Sequence, residues 1–161
     1  MKEVKKFVCS VLIPLLIGYL SNTVARILSG VDISTYYQEL IKPSFAPPGI
    51  LFPIVWTILF ILMGISFYII ISHDKYQMKV KDAIFFYWLQ LGLNFIWTIL
   101  FFGLNLRLTA LIDLILLIVV VGIMIYKFKA IEIKAAYLNI PYLIWLFYAL
   151  VLNYFLWFMN K

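Results

Sequence analysis

Long apolar stretches alternate with short polar ones along almost the whole chain. Five apolar stretches are long enough to cross a bilayer, since a spanning helix needs about 20 residues. They predict helices over about 7–28, 50–72, 83–104, 108–126 and 135–158. Only the fourth carries an acid well inside it, Asp113. The pattern therefore predicts an all-α membrane protein, a bundle of five transmembrane helices in a single domain, 1–161.

The composition supports lipid as the surrounding solvent. Hydrophobic residues make up 66% of the 161 residues and charged residues 12%, whereas soluble domains average about 25% charged. The mean hydropathy is +1.07. A soluble fold of this size could not bury so much apolar surface, so we expect the lipid bilayer to cover most of the helices.

The first segment has a second interpretation. Lys2, Lys5 and Lys6 precede it, and small residues such as Ala25 lie near its end. This arrangement is also typical of a cleaved signal peptide, although the segment is long for that role. On the residues alone both readings stay open.

The basic residues predict the orientation of the bundle. The net charge is +6, but the basic residues fall in short clusters between apolar segments, so nucleic acid is not a predicted partner. One side would hold Lys2, Lys5, Lys6, Lys75, Lys79, Lys81, Lys127, Lys129 and Lys134; the other would hold Arg26, Lys42, Arg107 and Lys161. The positive-inside rule then predicts a multi-pass protein of a bacterial cell membrane, with its amino terminus in the cytoplasm and its first loop outside.

The loop over 29–49 is the longest connection and contains Pro43, Pro47 and Pro48. Prolines fix backbone angles and lower the entropy cost of ordering. We interpret this loop as a structured lid, and a rigid spacer is the alternative.

Several helix faces combine aromatic and polar residues. At about 100° per residue, each of four predicted helices groups such residues on one face. The first helix carries Gly18, Asn22 and Arg26, and the second carries Phe52, Trp56, Phe60, Met63 and Phe67. The third carries Tyr87, Gln90, Asn94, Trp97, Thr98 and Phe101, and the fifth carries Pro141, Tyr142, Trp145, Ala149 and Asn153. Such residues can simply join helices by packing and hydrogen bonds. Their convergence instead favours an aromatic-lined cavity for a small molecule.

Conventional catalytic chemistry has few candidates. Cys9 and His73 are the only cysteine and the only histidine, so neither an internal disulfide nor a His/Cys metal cage can form. No metal or cofactor is predicted. Asp113 is interpreted as structural, pairing with Arg107, Arg26 or a donor on a neighbouring helix.

Five spaced motifs resemble those of one family. They are KPSFAPP at 42–48, VWTILF at 55–60, QLGLNFIW at 90–97, PYLIW at 141–145, and Asn153 after Ala149. Together with Asp113 in the fourth segment, they closely resemble the translocator protein family, also known as tryptophan-rich sensory proteins, over essentially the whole chain. The resemblance also implies that the first helix is retained.

The resemblance implies a membrane receptor or carrier that binds porphyrins such as protoporphyrin IX, and other hydrophobic aromatic ligands including isoquinoline carboxamides, beneath the first loop, regulating tetrapyrrole levels. It also implies a homodimer. The alternative is light- and oxygen-dependent porphyrin breakdown, for which Trp56 and Trp145 match the pocket tryptophans. The ligand-binding set is Asn22, Arg26, Tyr36, Pro47, Phe52, Trp56, Phe60, Gln90, Asn94, Trp97, Tyr142, Trp145, Ala149 and Asn153.

Two basic residues are candidates for the porphyrin carboxylates. Arg26 and Lys42 are expected near the outer rim, where either could pair with a carboxylate. His73 and Cys9 lie away from the lid in the predicted topology, so haem would lack an axial ligand there. Metal-free porphyrin is therefore the expected ligand. Where the family often has tryptophan, this chain has Phe45 and Phe95.

Overall fold

The chain folds into a bundle of helices, which a computed structural model describes over residues 2–73 and 77–161. The helices are α1 Lys2–Ser29, α2 Ile33–Glu39, α3 Leu51–Ile71, α4 Gln77–Thr98, α5 Arg107–Lys129, α6 Ile133–Tyr137 and α7 Ile140–Met159. A π-helical turn, Ile99–Gly103, continues α4.

Five units in the described part of the chain are long and apolar enough to cross a membrane. They are α1, α3, α4 with its π-helical turn, α5, and α6 taken together with α7. The predicted all-α bundle of five transmembrane helices is confirmed, and the chain is a multi-pass membrane protein. Lys75, which the orientation prediction counts, lies outside the described residues.

The helix boundaries differ from the predicted ones mainly at polar ends. Helix α1 begins at Lys2 and α4 at Gln77, because lysines and other polar residues continue a helix into the interface without crossing hydrocarbon. The loop over 29–49 contains α2, which was not predicted. Asp32 caps α2 by accepting a hydrogen bond from the Ser34 backbone N–H at 3.1 Å.

The fifth segment is interrupted, contrary to the continuous helix predicted over 135–158. Helix α6 ends at Tyr137, and α7 begins at Ile140 with Pro141 in its first turn. Proline has no N–H to donate to the preceding turn, so a new helix start is favoured there. Asn139 in the break donates to Ser66 Oγ at 2.6 Å and to the Ala135 carbonyl at 2.9 Å.

The order of helix packing positions the cavity described below. Helix α1 packs against α3 and against α4 with its π-helical turn, α4 packs against α5, and α5 packs against α6 and α7. Helix α3 also packs directly against α4 and against α6. Gly64 of α3 lies so close to the α1 backbone at Ser10 and Val11 that a Cβ there would overlap it. These two helices are therefore tightly joined at this level of the bundle.

Candidate ligand-binding site

A cavity lies between α1, α3 and α4 at the end of the bundle that carries α2. We call this end the lid end. The cavity has a volume of about 570 Å³, within the range of about 300–1,000 Å³ typical of small-molecule sites. Seven of the predicted ligand-binding residues line it: Asn22, Arg26, Phe52, Trp56, Phe60, Asn94 and Trp97.

Aromatic rings form much of the cavity wall. The rings of Trp56 and Phe60 on α3 lie 5.4 Å apart between centroids. Across the cavity, Trp97 stacks on Phe101 at 5.3 Å and meets the edge of Phe102 at 6.0 Å. Aromatic faces of this kind suit a flat, conjugated ligand, because offset and edge contacts between rings are favourable.

The loop over 29–49, which we call the lid after its predicted role, is held by a hydrogen bond within itself and by a ring contact with α3. The Tyr37 hydroxyl donates to the Pro47 carbonyl at 2.9 Å, and the Tyr37 ring meets the edge of Phe52 at 5.0 Å. Burial, followed by the nearby Tyr148 hydroxyl, raises the pKa of Tyr37 to about 12. The hydroxyl therefore stays protonated, and able to donate, well beyond neutral pH. Pro47 itself does not line the cavity but fixes Tyr37, which does.

A second tyrosine joins the lid to the rest of the bundle. Arg107 at the start of α5 donates from Nη2 to the Tyr36 hydroxyl at 2.8 Å and from Nη1 to the Asn160 carbonyl at 3.2 Å. Burial raises the pKa of Tyr36, and the nearby Arg107 opposes this. Asn160 in turn bonds both backbone groups of Ile41 at 2.9 Å. Tyr36 is thus buried in the lid's attachment rather than exposed to the cavity.

Two further predicted residues, Gln90 and Tyr142, form a buried network that reaches the cavity through Asn94. The Asn94 side chain donates to the Tyr142 hydroxyl at 3.1 Å, and that hydroxyl donates to Gln90 Oε1 at 3.0 Å. All three are almost fully buried. Gln90 and Tyr142 satisfy each other's hydrogen-bonding groups, and Tyr142 holds the Asn94 side chain in place. Neither Gln90 nor Tyr142 is among the lining residues of the cavity.

Another chain of hydrogen bonds links the cavity wall to the lid. The Trp97 indole donates to Asn153 Oδ1 at 3.1 Å, and Asn153 Nδ2 donates to the Arg107 carbonyl at 3.0 Å. Arg107 then donates to Tyr36. Asn153 therefore orients Trp97 from behind and is not itself a lining residue.

Trp145 and Ala149 lie outside the main cavity. Trp145 borders a separate, shallow groove between α3 and α7, with Val55, Leu59, Ile144 and Tyr148 among its neighbours. Its ring meets the edge of Phe52 at 6.1 Å and lies tilted beside the Tyr148 ring at 5.2 Å. The Trp145 side of α7 faces this groove, whose other wall is formed by Val55, Ile58 and Leu59 of α3. The half-buried Ala149 packs against the core beside it.

The interpretation of Asp113 is only partly retained. The residue is buried on α5, but no salt bridge joins it to Arg107 or Arg26 within residues 2–73 and 77–161. Its Oδ2 atom has no hydrogen-bond partner there either. The expected pairing was wrong because Arg107 turns toward Tyr36 and the chain end instead.

The sequence prediction missed several lining residues. They include Tyr19, Ser21 and Thr23 of α1, Ile33, Ser34, Tyr37 and Gln38 of α2, Gly49, Ile50 and Pro53 around the start of α3, Thr98 at the end of α4, and Phe102 in the π-helical turn. The Asp32 cap signal before 33–39 could have revealed α2. Phe102 was harder to find, because the π-helical turn changes the direction of its side chain.

Comparison with known proteins identifies the family. The TspO/MBR family model matches residues 10–158. The chain is 37% identical to the tryptophan-rich protein TspO of Archaeoglobus fulgidus, covering 98% of this chain and 99% of that protein. It is also 34% identical to the translocator protein of Sus scrofa, covering 91% of this chain and 85% of that protein. The chain belongs to the TspO/MBR family.

Proposed function

We propose that this protein is a membrane receptor or carrier for porphyrins such as protoporphyrin IX, bound in the cavity between α1, α3 and α4. The observation that carries the proposal is the cavity of about 570 Å³ whose walls combine two indole rings with phenylalanines. A tetrapyrrole is flat and conjugated, so Trp56 and Trp97 can contact its faces or edges. Family membership supports a ligand-binding role in the membrane.

The polar groups of the cavity are confined to particular places. Asn94 lies on the bundle side of the wall, while Asn22, Arg26 and Gln38 are exposed near the lid. An amphipathic ligand can therefore place its ring system among the aromatic residues and its charged substituents at the lid end. Other hydrophobic aromatic molecules of similar size, including isoquinoline carboxamides, would use the same walls.

A dark titration tests the proposal. Protoporphyrin IX is added to the protein in nanodiscs, and tryptophan quenching and the porphyrin absorption bands report binding. Trp56→Leu should weaken binding by about 1–2 kcal/mol, because a ring contact with the ligand is lost. Trp88→Leu is the matched control, since Trp88 is half-exposed on α4 and does not line the cavity. Equal affinity of both variants and the unmodified protein would place the ligand elsewhere.

A second candidate function is light- and oxygen-dependent breakdown of the bound porphyrin. It is favoured by the position of Trp56 and Trp97 in the cavity wall, where an excited porphyrin or the oxygen it activates would meet an oxidisable indole. Trp145, assigned this role with Trp56 from the family resemblance, lies behind Phe52. We therefore propose Trp97 as the second tryptophan.

Illumination with and without oxygen separates the two functions. Trp56→Phe and Trp97→Phe should slow the loss of porphyrin absorbance, whereas Trp145→Phe should change it less. If all three variants lose porphyrin absorbance at the rate of the unmodified protein, the protein only binds the ligand, which bleaches by ordinary photochemistry.

The proposal also includes a homodimer and a cytoplasmic amino terminus. The family resemblance supports the homodimer, and the distribution of basic residues supports the orientation.

A further inference from the structure

The lid end carries four basic residues, and the surroundings of each decide whether it can meet a ligand. Lys42 is fully engaged by the lid itself. Its Nζ donates to the carbonyl oxygens of Tyr37 at 3.0 Å, Gln38 at 2.9 Å and Leu40 at 3.0 Å. These carbonyls end α2, so the lysine caps that helix. An ammonium has three N–H donors, and all three are used.

Arg107 and Lys161 are also engaged. Arg107 donates to Tyr36 and to the Asn160 carbonyl, and its guanidinium lies 5.7 Å from the centre of the Tyr36 ring. Lys161 lies over the rings of Trp157 and Phe158, at 4.6 and 4.8 Å. Neither residue lines the cavity.

Arg26 differs from the other three. It lines the cavity from the last turn of α1, one turn beyond Asn22. Among the described residues its side chain makes no hydrogen bond and no ion pair. A guanidinium with all its donors available can bind a carboxylate through two parallel N–H···O bonds.

The remaining charge in the cavity lining is an acid. Asp32 lies at the start of α2, where it accepts from the Ser34 backbone, and it makes no ion pair with Arg26. A second anionic group on a bound ligand would therefore find Asp32 or water, because the described residues that line the cavity include no cation besides Arg26.

We infer that the cavity recognises its ligand through a single carboxylate, and that Arg26 is the residue that binds it. This inference rests on the proposed function, because it assumes a flat apolar body among the aromatic rings. The ligand class is thus a lipophilic conjugated molecule for which one carboxylate is sufficient. The sequence left Arg26 and Lys42 as equal candidates, and the three carbonyl bonds of Lys42 decide between them.

The test compares three forms of one porphyrin in the dark: the diacid, its monomethyl ester and its dimethyl ester. With the unmodified protein, the diacid and the monoester should differ by about a factor of two, the statistical advantage of having either carboxylate available. The diester should bind about five- to tenfold more weakly than the monoester, because it cannot form the charged hydrogen bonds with Arg26. The solvent exposure of Arg26 keeps this effect small. This series needs no variant, so a folding defect cannot obscure it.

Arg26→Gln should remove the difference between monoester and diester while leaving the affinity for the diester unchanged. Comparing the two ligands within each protein cancels their different partitioning into lipid. Lys42→Gln is the matched control and should keep the difference, because Lys42 caps α2 and does not meet the ligand.

Three results would overturn the inference. The first is a preference for the monoester over the diester that survives Arg26→Gln, and the second is loss of that preference in Lys42→Gln. The third is a diacid that binds more than about tenfold better than the monoester, which would require a second cation. In each case porphyrin binding itself, and hence the proposed function, is retained. Failure of all three porphyrins to bind the unmodified protein would instead overturn the proposed function and this inference with it.

Discussion

The bond between Arg107 and Tyr36 should govern how often the lid opens. It is the charged hydrogen bond between α2 and the transmembrane bundle, with 2.8 Å between Nη2 and the hydroxyl oxygen. Tyr36→Phe removes the hydroxyl but keeps the ring, which meets the edge of Phe102 at 5.7 Å. The packing of the lid is therefore retained while its bond to Arg107 is lost.

The size of the effect follows from the partners that remain. A hydrogen bond to a charged group contributes about 1.5–3 kcal/mol, and the half-buried position of Arg107 favours the lower value. Within the described residues, the Tyr36 hydroxyl is the hydrogen-bond partner of Arg107 Nη2, and this bond is lost in the variant. A loss of about 1.5 kcal/mol makes the open lid roughly tenfold more populated.

Amide hydrogen exchange of residues 33–39 measures this opening directly. In Tyr36→Phe it should be roughly tenfold faster, and bound porphyrin should dissociate faster in the dark. Tyr137→Phe is the control, because Tyr137 is exposed on α6 at the opposite end of the bundle. Exchange at the unmodified rate in Tyr36→Phe would refute the reasoning and leave the packing of Tyr36 as the restraint on the lid.

Three further substitutions test other parts of the structure by thermal unfolding in detergent. Gly64→Ala should destabilise the protein by about 2 kcal/mol, because its Cβ would overlap the α1 backbone; Gly92→Ala, which meets no neighbour, should be neutral or stabilising. Tyr142→Phe should cost about 1–2 kcal/mol by leaving the buried Asn94 donor unpaired. Because its pKa is raised, Tyr37 contributes fully to the free energy of unfolding below pH 10, and this contribution is lost as the pH rises to about 12. Tyr37→Phe should remove that part of the pH dependence.

The membrane-spanning helices were predictable because lipid imposes one simple requirement. Every backbone polar group must be satisfied within the segment, so about 20 apolar residues must form a helix. Segments such as 51–71 and 107–129 therefore appear close to their predicted positions. The number of helices follows from the same requirement, without any knowledge of which helices touch.

The lid and the irregular helices were less predictable because competing local interactions decide them. Helix α2 has seven residues, which is shorter than an isolated helix can sustain in water. It depends on contacts that are distant in sequence, such as the bond from Arg107 to Tyr36. The π-helical turn at 99–103 likewise has no proline to mark it, and it brings Gly103 against Ala25 of α1.

The misplacement of Trp145 shows what helical periodicity leaves undecided. Trp145 and Asn153 were assigned to one face of α7, but at 3.6 residues per turn they point about 80° apart. That angle is wide enough for two different neighbours. Asn153 reaches Trp97 on α4, whereas Trp145 contacts the rings of Phe52 and Tyr148 and borders the groove. Periodicity gives the direction of a side chain around its own helix, and only the packing order of the helices gives what lies in that direction. Helix α4 packs against both α1 and α3, so the second indole of the cavity, Trp97, comes from α4, and Asn153 acts through it as a positioning residue.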